Sequence, residues 1–195
     1  MRVPPDAKPK RVRLTLLAIA VVCALPIVAA WTAYLLGWSP GTKSNYGALI
    51  KPHPVPDVAL AGLDGRSFRL SQLRGKWVML TFGASSCDEP CVRRLYYMRQ
   101  IRVAQGENMA RLERVWVLTD SGVPSPKLLA AYRGTYVVRG AGAKFERAFT
   151  SAHGVIGHIF LIDPLGNLMM RFPRDPDPTR ILKDVQRLLR YSSVG

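Results

Sequence analysis

The sequence predicts an α/β domain, a central mixed sheet flanked by helices, carried behind one N-terminal transmembrane helix. Three observations carry this prediction. Apolar strand patterns alternate with helix patterns from Trp77 to Leu189, the run from Leu14 to Trp38 holds no charged residue, and Cys87 and Cys91 stand where a strand pattern breaks into a helix pattern. Alternating strands and helices imply parallel crossovers, and a closing hairpin makes the sheet mixed.

Residues 1–13 read as a basic cytoplasmic tail and 14–38 as a transmembrane anchor. An uncharged run of this length crosses a bilayer as a helix, and Trp31, Tyr34 and Trp38 gather at its far end as interfacial aromatics do. Pro26 is tolerated there when neighbours re-satisfy the freed carbonyl. Arg2, Lys8, Lys10, Arg11 and Arg13 precede the span, so the positive-inside rule places the N-terminus in the cytoplasm and the rest outside, as a single-pass protein. The rival is a cleavable signal peptide with Val28-Ala29-Ala30 at its cleavage site, against which stands an apolar run that continues well past it. Cys23 is an apolar filler of the span.

Residues 39–55, rich in Pro, Gly and small polar residues without apolar period, read as a tether. The domain is expected over 56–190, with 191–195 as a tail. Asp64-Gly65 separates short strands at Val58–Ala61 and Ser67–Leu70 as a hairpin turn. The strand Trp77–Phe82 has apolar groups on both faces and is therefore central. Pro90 opens a helix that runs to about Gln105, with Val92, Leu95, Tyr96 and Met98 on its apolar stripe and Arg93, Arg94 and Arg99 outside it. A second central strand follows at Arg114–Asp120, then a helix at Pro126–Tyr132, a strand at Tyr136–Val138 and a small helix at Lys144–Phe149. His158–Ile162 and Leu168–Phe172 flank Asp163-Pro164-Leu165-Gly166-Asn167 as a second hairpin. Pro178–Leu189 closes the chain as an amphipathic helix, Ile181 and Val185 inward.

The 195 residues carry a net charge of +15; outside residues 1–13 there remain 23 basic and 12 acidic side chains, a net +11. Nucleic acid would suit such a charge, but a membrane anchor argues against it, and anionic lipid or an acidic membrane-protein partner is the more natural counter-surface. Two cysteines in the soluble part exclude a scaffold stapled by many bridges.

Cys87 and Cys91 are placed for redox or metal chemistry. Residues i and i+4 on a helix hold their Cβ atoms about 5–6 Å apart, whereas a disulfide wants about 3.5–4.5 Å. A bond is open to them if Cys87 lies just before the first helical turn; a soft metal between two thiolates is the other solution. A purely structural bridge is disfavoured, since so short a loop stabilises little. Helix-start dipoles would lower the Cys87 pKa while Asp88 and Glu89 raise it.

The element order resembles the thioredoxin-like fold. Pro54-Val55-Pro56-Asp57-Val58-Ala59-Leu60, Asp64-Gly65-Arg66-Ser67-Phe68, Leu73-Arg74-Gly75-Lys76 and Phe82-Gly83 before Cys-x-x-x-Cys resemble the Sco/SenC family of membrane-anchored cytochrome oxidase assembly proteins. The resemblance covers residues 54–190. It implies that Cys87 and Cys91, with a histidine, bind copper for the binuclear copper site of cytochrome c oxidase. Departures are specific: Asp88 and Val92 follow the cysteines where the family has proline, Asp120 keeps only half of an acidic pair, and Val155 falls where the family's copper histidine belongs.

That makes His158 the candidate third ligand, with His153 as alternative and His53 in the tether as a remote one. A lone histidine at a strand end is more often structural. Met169 and Met170 are soft donors, but as strand neighbours they point to opposite faces. The resemblance implies a copper chaperone or thiol reductant at a bacterial plasma (inner) membrane, its domain periplasmic, its partners membrane lipid and the copper-bearing oxidase subunit or its assembly factors. Alternatives are a general periplasmic thiol-disulfide oxidoreductase resembling TlpA and ResA, disfavoured by the longer spacer and by Gly157 where those have a cis-proline, and a non-catalytic anchored interaction domain. The anchor has a direct check: the chain should resist carbonate extraction from membranes, with the domain open to protease from the outer side. Recovery of a soluble chain beginning at Trp31 would show a cleaved signal peptide instead.

Overall fold

The structure, a computed structural model, describes residues 9–37, 45–140, 142–150 and 154–192. The anchor and the domain are two compact units, taken separately. Helix α1 runs Pro9–Leu35 with Pro26 inside it, and its portion Val12–Leu35 is apolar and long enough to cross a membrane. Trp38, expected at the end of the span, lies outside the described residues.

The domain follows the expected alternation, with one strand more than expected. In chain order come β1 (Ala48–Pro54), β2 (Leu60–Gly62), β3 (Ser67–Phe68), β4 (Trp77–Gly83), α2 (Glu89–Val103), β5 (Leu112–Leu118), α3 (Pro126–Ala131), β6 (Tyr136–Arg139), α4 (Gly142–Phe149), β7 (Ile159–Ile162), β8 (Asn167–Arg171) and α5 (Pro178–Tyr191). The eight strands form one sheet in the order β1-β8-β7-β4-β5-β6-β2-β3. Strands β4, β5 and β6 are mutually parallel, and the β7–β8 hairpin joins β4 antiparallel.

Strand β4 sits centrally because both its faces are apolar. Val78, Leu80 and Phe82 enter one core with Val115, Val117, Phe160 and the α4 residues Phe145 and Phe149. Trp77 and Met79 enter the other, with Met98 and Ile101 of α2 and Ile181, Val185 and Leu189 of α5. The first core is aromatic: the Phe82 ring meets Phe149 at 5.3 Å and Phe160 at 6.1 Å, both edge-on, contacts worth about 0.5–1.5 kcal/mol each beyond the area buried. Helices start where the sequence supplies caps. Asp88, Ser125 and Asp177 cap α2, α3 and α5, each with a proline in the first turn.

The expected tether is the main correction. Residues 48–54 form β1, antiparallel to β8 at the sheet edge. The cause is a buried acid on α5. Asp184, only 5% exposed, accepts the backbone N–H groups of Tyr46 and Gly47 at 2.8 and 2.9 Å. The guanidinium of Arg180 lies 4.2 Å over the Tyr46 ring, and the Tyr46 hydroxyl accepts from Asp177 N at 2.9 Å. Gly47 packs so tightly on Met170 and Phe172 that a Cβ has no room. His53 is spent in this strand too, its ring bridging the carbonyls of Lys51 and Ala148.

Asp184→Ala should therefore strand two buried donors and cost about 1–3 kcal/mol. Urea unfolding of the full chain in detergent measures the loss, and amide exchange should show residues 46–54 losing protection first. Unchanged protection there would mean that β1 is held by its ladder alone.

Candidate functional site

The site grows from the end of β4. After Gly83 the chain leaves the sheet through Ala84, Ser85 and Ser86, and this loop is fixed by Asp120 beyond β5. The Asp120 carboxylate accepts Ser85 N at 3.1 and 3.0 Å and the Ser85 hydroxyl at 3.0 Å. Cys87 then donates its N–H to the Ala84 carbonyl at 3.0 Å and takes φ +42°, the one left-handed non-glycine residue among those described. Such a backbone costs about 1–2 kcal/mol. It places Cys87 one residue before the N-cap Asp88, whose side chain accepts Cys91 N at 3.1 Å.

That is the geometry in which an i, i+4 pair can close. The two cysteines form a disulfide, S–S 2.06 Å and Cα–Cα 5.2 Å. Both are buried, Cys87 at 7% and Cys91 at 3% exposure, in a cluster with Leu95, Trp116 and Leu118.

Two buried arginines lie on the elements that flank the pair, α2 and β5. Arg94, expected on the solvated face of α2, is buried, and Tyr96, expected on the apolar stripe, is exposed. Burial lowers the pKa of the Arg94 guanidinium, against the opposing pull of the Asp88 carboxylate. Under the same helix Arg114 donates from Nη2 to the Arg133 carbonyl at 2.9 Å. Its burial, with Arg102 and Arg99 nearby, brings its pKa down to about 10. Both arginines remain cations at neutral pH, and Arg94 lies one turn after Cys91 on α2.

Two further features border the sulfurs. An ideal Cβ on Gly83 would stand 3.2 Å from Cys91 Sγ and 3.2 Å from Trp116 Nε1, so glycine is what lets sulfur and indole approach the strand end. A cleft of about 610 Å³, with Leu63, Phe68, Leu128, Tyr132 and Tyr136 in its walls, also has Trp116 in its lining. The Tyr132 hydroxyl donates to the Val92 carbonyl at 3.2 Å, tying α3 to α2.

The structure does not bring His158 into a ligand set with Cys87 and Cys91. Among the described residues no group of three His, Cys, Asp or Glu side chains could hold a metal ion. His158 is buried, its Nδ1–H donates to the Phe172 carbonyl at 2.8 Å, and its ring stands 6.0 Å from that of Phe160. The β7–β8 hairpin thus uses it as a structural histidine. Val155, at the position the resemblance reserves for a copper histidine, packs against the Phe82 core. His153 lies outside the described residues. Met170 is core and Met169 packs partly buried beside it. Sequence reasoning missed Trp116, Arg94 and Gly83 as neighbours of the thiols. The readable signals were that Arg94 lies one turn after Cys91 on the same helix face, and that Trp116 shares a β5 face with the helix side of β4.

Residues 77–192 match the family model described as the transmembrane-like, thioredoxin-like C-terminal domain. A protein of Stutzerimonas stutzeri named for copper binding is 27% identical over 125 residues, 64% of this chain and 59% of that one. Thiol-disulfide oxidoreductase ResA of Geobacillus thermodenitrificans is 44% identical over 47 residues, 24% of this chain and 26% of that one. The chain spans less than two thirds of either relative's length. Yeast Sco1 with copper bound aligns with a TM-score of 0.58 at 19% identity, covering 73% of this chain and 96% of that one. The structural likeness shows a common thioredoxin-like fold, as the sequence led one to expect.

The left-handed backbone at Cys87 has a clean test. Cys87→Gly and Cys87→Ala both remove the disulfide, so their difference isolates the backbone. The glycine variant should be the more stable by about 1 kcal/mol in urea unfolding. Equal stability would mean that the loop relaxes once the bond is gone.

Proposed function

Because the chain belongs to the family of transmembrane-like, thioredoxin-like C-terminal domains, we propose that it is a membrane-anchored Sco-like protein whose Cys87–Cys91 pair reduces, or delivers copper to, the copper site of cytochrome c oxidase. The observation that carries this reading is the pair itself, closed across the helix start at the end of a central strand. A bridge at a helix start, with one cysteine on left-handed backbone, is built to open as well as to close.

Copper in this reading is cargo. Two thiolates are soft donors that suit Cu(I), and Cys87 and Cys91 supply them after reduction. Cu(II) wants imidazole in a tetragonal set, and no histidine joins the sulfurs among the described residues. This reading takes Cu(I) as the cargo, with the His158 ring donating to the Phe172 carbonyl instead. The S. stutzeri relative named for copper binding and the copper-bound Sco1 neighbour support the assignment. The uncharged run from Leu14 onward in α1, behind basic residues, supports a plasma-membrane protein with its domain in the periplasm, against anionic lipid and beside the copper-bearing oxidase subunit or its assembly factors.

A second reading, a general thiol-disulfide oxidoreductase, is favoured by the stretch shared with ResA. Against it stand the three residues between the cysteines and Gly157, at φ +89°, where such proteins carry a cis-proline.

Copper stoichiometry separates the two. The reduced full chain in detergent should bind one equivalent of Cu(I), Cys91→Ser should lose at least 90% of that binding, and His158→Ala should keep it. No Cu(I) binding by the reduced wild type would leave a dithiol reductant only, and loss of Cu(I) in a folded His158→Ala variant would restore the histidine to the site.

A further inference from the structure

Trp116 lies in the interior of β5, 1% exposed, and its Nε1–H has no hydrogen-bond partner among the described residues. An indole N–H buried without an acceptor carries a desolvation penalty. Buried tryptophans ordinarily avoid it by finding a partner. Cys91 Sγ is a neighbour: both atoms stand 3.2 Å from the Cβ position of Gly83, and both residues belong to one buried cluster. In the disulfide that sulfur is a poor acceptor. As a thiolate it becomes a charged one, and a charge-assisted hydrogen bond is about twice as strong as a neutral one.

We propose that the Trp116 indole N–H is a positioning residue for the thiol chemistry, donating to the Cys91 thiolate in the reduced protein and thereby raising the reduction potential of the Cys87–Cys91 pair. The inference rests on the dithiol reading above and names the group that tunes it. The reaction partner is a client disulfide. Cys87 thiolate attacks one client sulfur, breaking the client S–S bond, and the departing sulfur takes a proton. Cys91 thiolate then attacks the Cys87 sulfur of the mixed disulfide, which forms the Cys87–Cys91 bond and releases the second client sulfur to be protonated. Two electrons pass from the pair to the client. Trp116 acts before the second attack, holding the Cys91 sulfur charged at the end of β4. Gly83 keeps the space between them clear. Removing the donor destabilises the reduced state and relieves the unpaired N–H of the oxidised one, so both effects shift the equilibrium toward the disulfide.

The test uses the full chain in detergent, equilibrated in glutathione redox buffers. Trp116→Phe should shift the dithiol–disulfide equilibrium at least tenfold toward the disulfide, which is about 30 mV more negative. A purely structural tryptophan would weaken folding in both redox states and leave the potential unmoved. Should Trp116→Phe fail to fold, the wild type still decides. Its Trp116 indole proton resonance should move downfield on reduction. A resonance that ignores reduction, or an unchanged potential in a folded variant, overturns the inference while leaving the dithiol reading intact. A pair that cannot be reduced reversibly overturns both.

Discussion

The constraint on which the site depends is the way β4 ends. The strand is buried on both faces and paired on both edges, parallel to β5 and antiparallel to β7, so its last residue, Gly83, is fixed in the sheet. A single loop must carry the chain from there to a helix whose first turn packs on the same strand end. Asp120 anchors that loop through Ser85, Asp88 caps the helix, and the geometry left over puts Cys87 on left-handed backbone. Backbone strain of this kind persists only where the surroundings over-determine it. Here the central sheet, the cap and the aspartate supply that determination, and the result is a sulfur held over another in the first turn of α2.

Electrostatics then decides what such a pair is suited to do. A thiol pair at a helix start has a reduced form favoured beyond that of an ordinary dithiol. Arg94 on α2 and Arg114 on β5 are buried cations, and neither is neutralised by a bonded carboxylate among the ion pairs formed by the described residues. Asp88 opposes them, though it also spends its carboxylate on the Cys91 N–H. The same environment favours thiolates as ligands for a soft monovalent metal, so reductant and copper carrier are two uses of one charge arrangement.

Much of the architecture was legible in the sequence because its signals are periodic and local. The two-faced apolar pattern of Trp77–Phe82, the capped helices with proline in their first turns and the two turn-bounded hairpins each specify an element without help from afar. What was not legible depended on pairings distant in the chain. β1 looked like a tether because its own residues carry no clear alternation. Its place is dictated by Asp184, an acid at an inward position of a helix more than a hundred residues later, which could have been read as a sign that something must donate to it. Arg94 was placed outside because arginine is rarely buried, and only the packing of α2 on β4 and β5 reveals it. The role of His158 depends on a distant pairing too: sequence put it near the strand end, and its ring donates to Phe172 on the neighbouring side of the hairpin.

The central claim is that Cys87–Cys91 is a working redox pair and not a staple. A loop this small contributes about 2 kcal/mol by closure entropy, against a total stability of about 5–15 kcal/mol for a domain, so the fold should survive its opening. The most direct measurement is urea unfolding of the full chain, followed by circular dichroism, with the pair oxidised and with it reduced. The account predicts two cooperative transitions of equal slope, the reduced midpoint modestly lower, and full recovery of the oxidised curve on reoxidation. Loss of folded structure on reduction alone would contradict it.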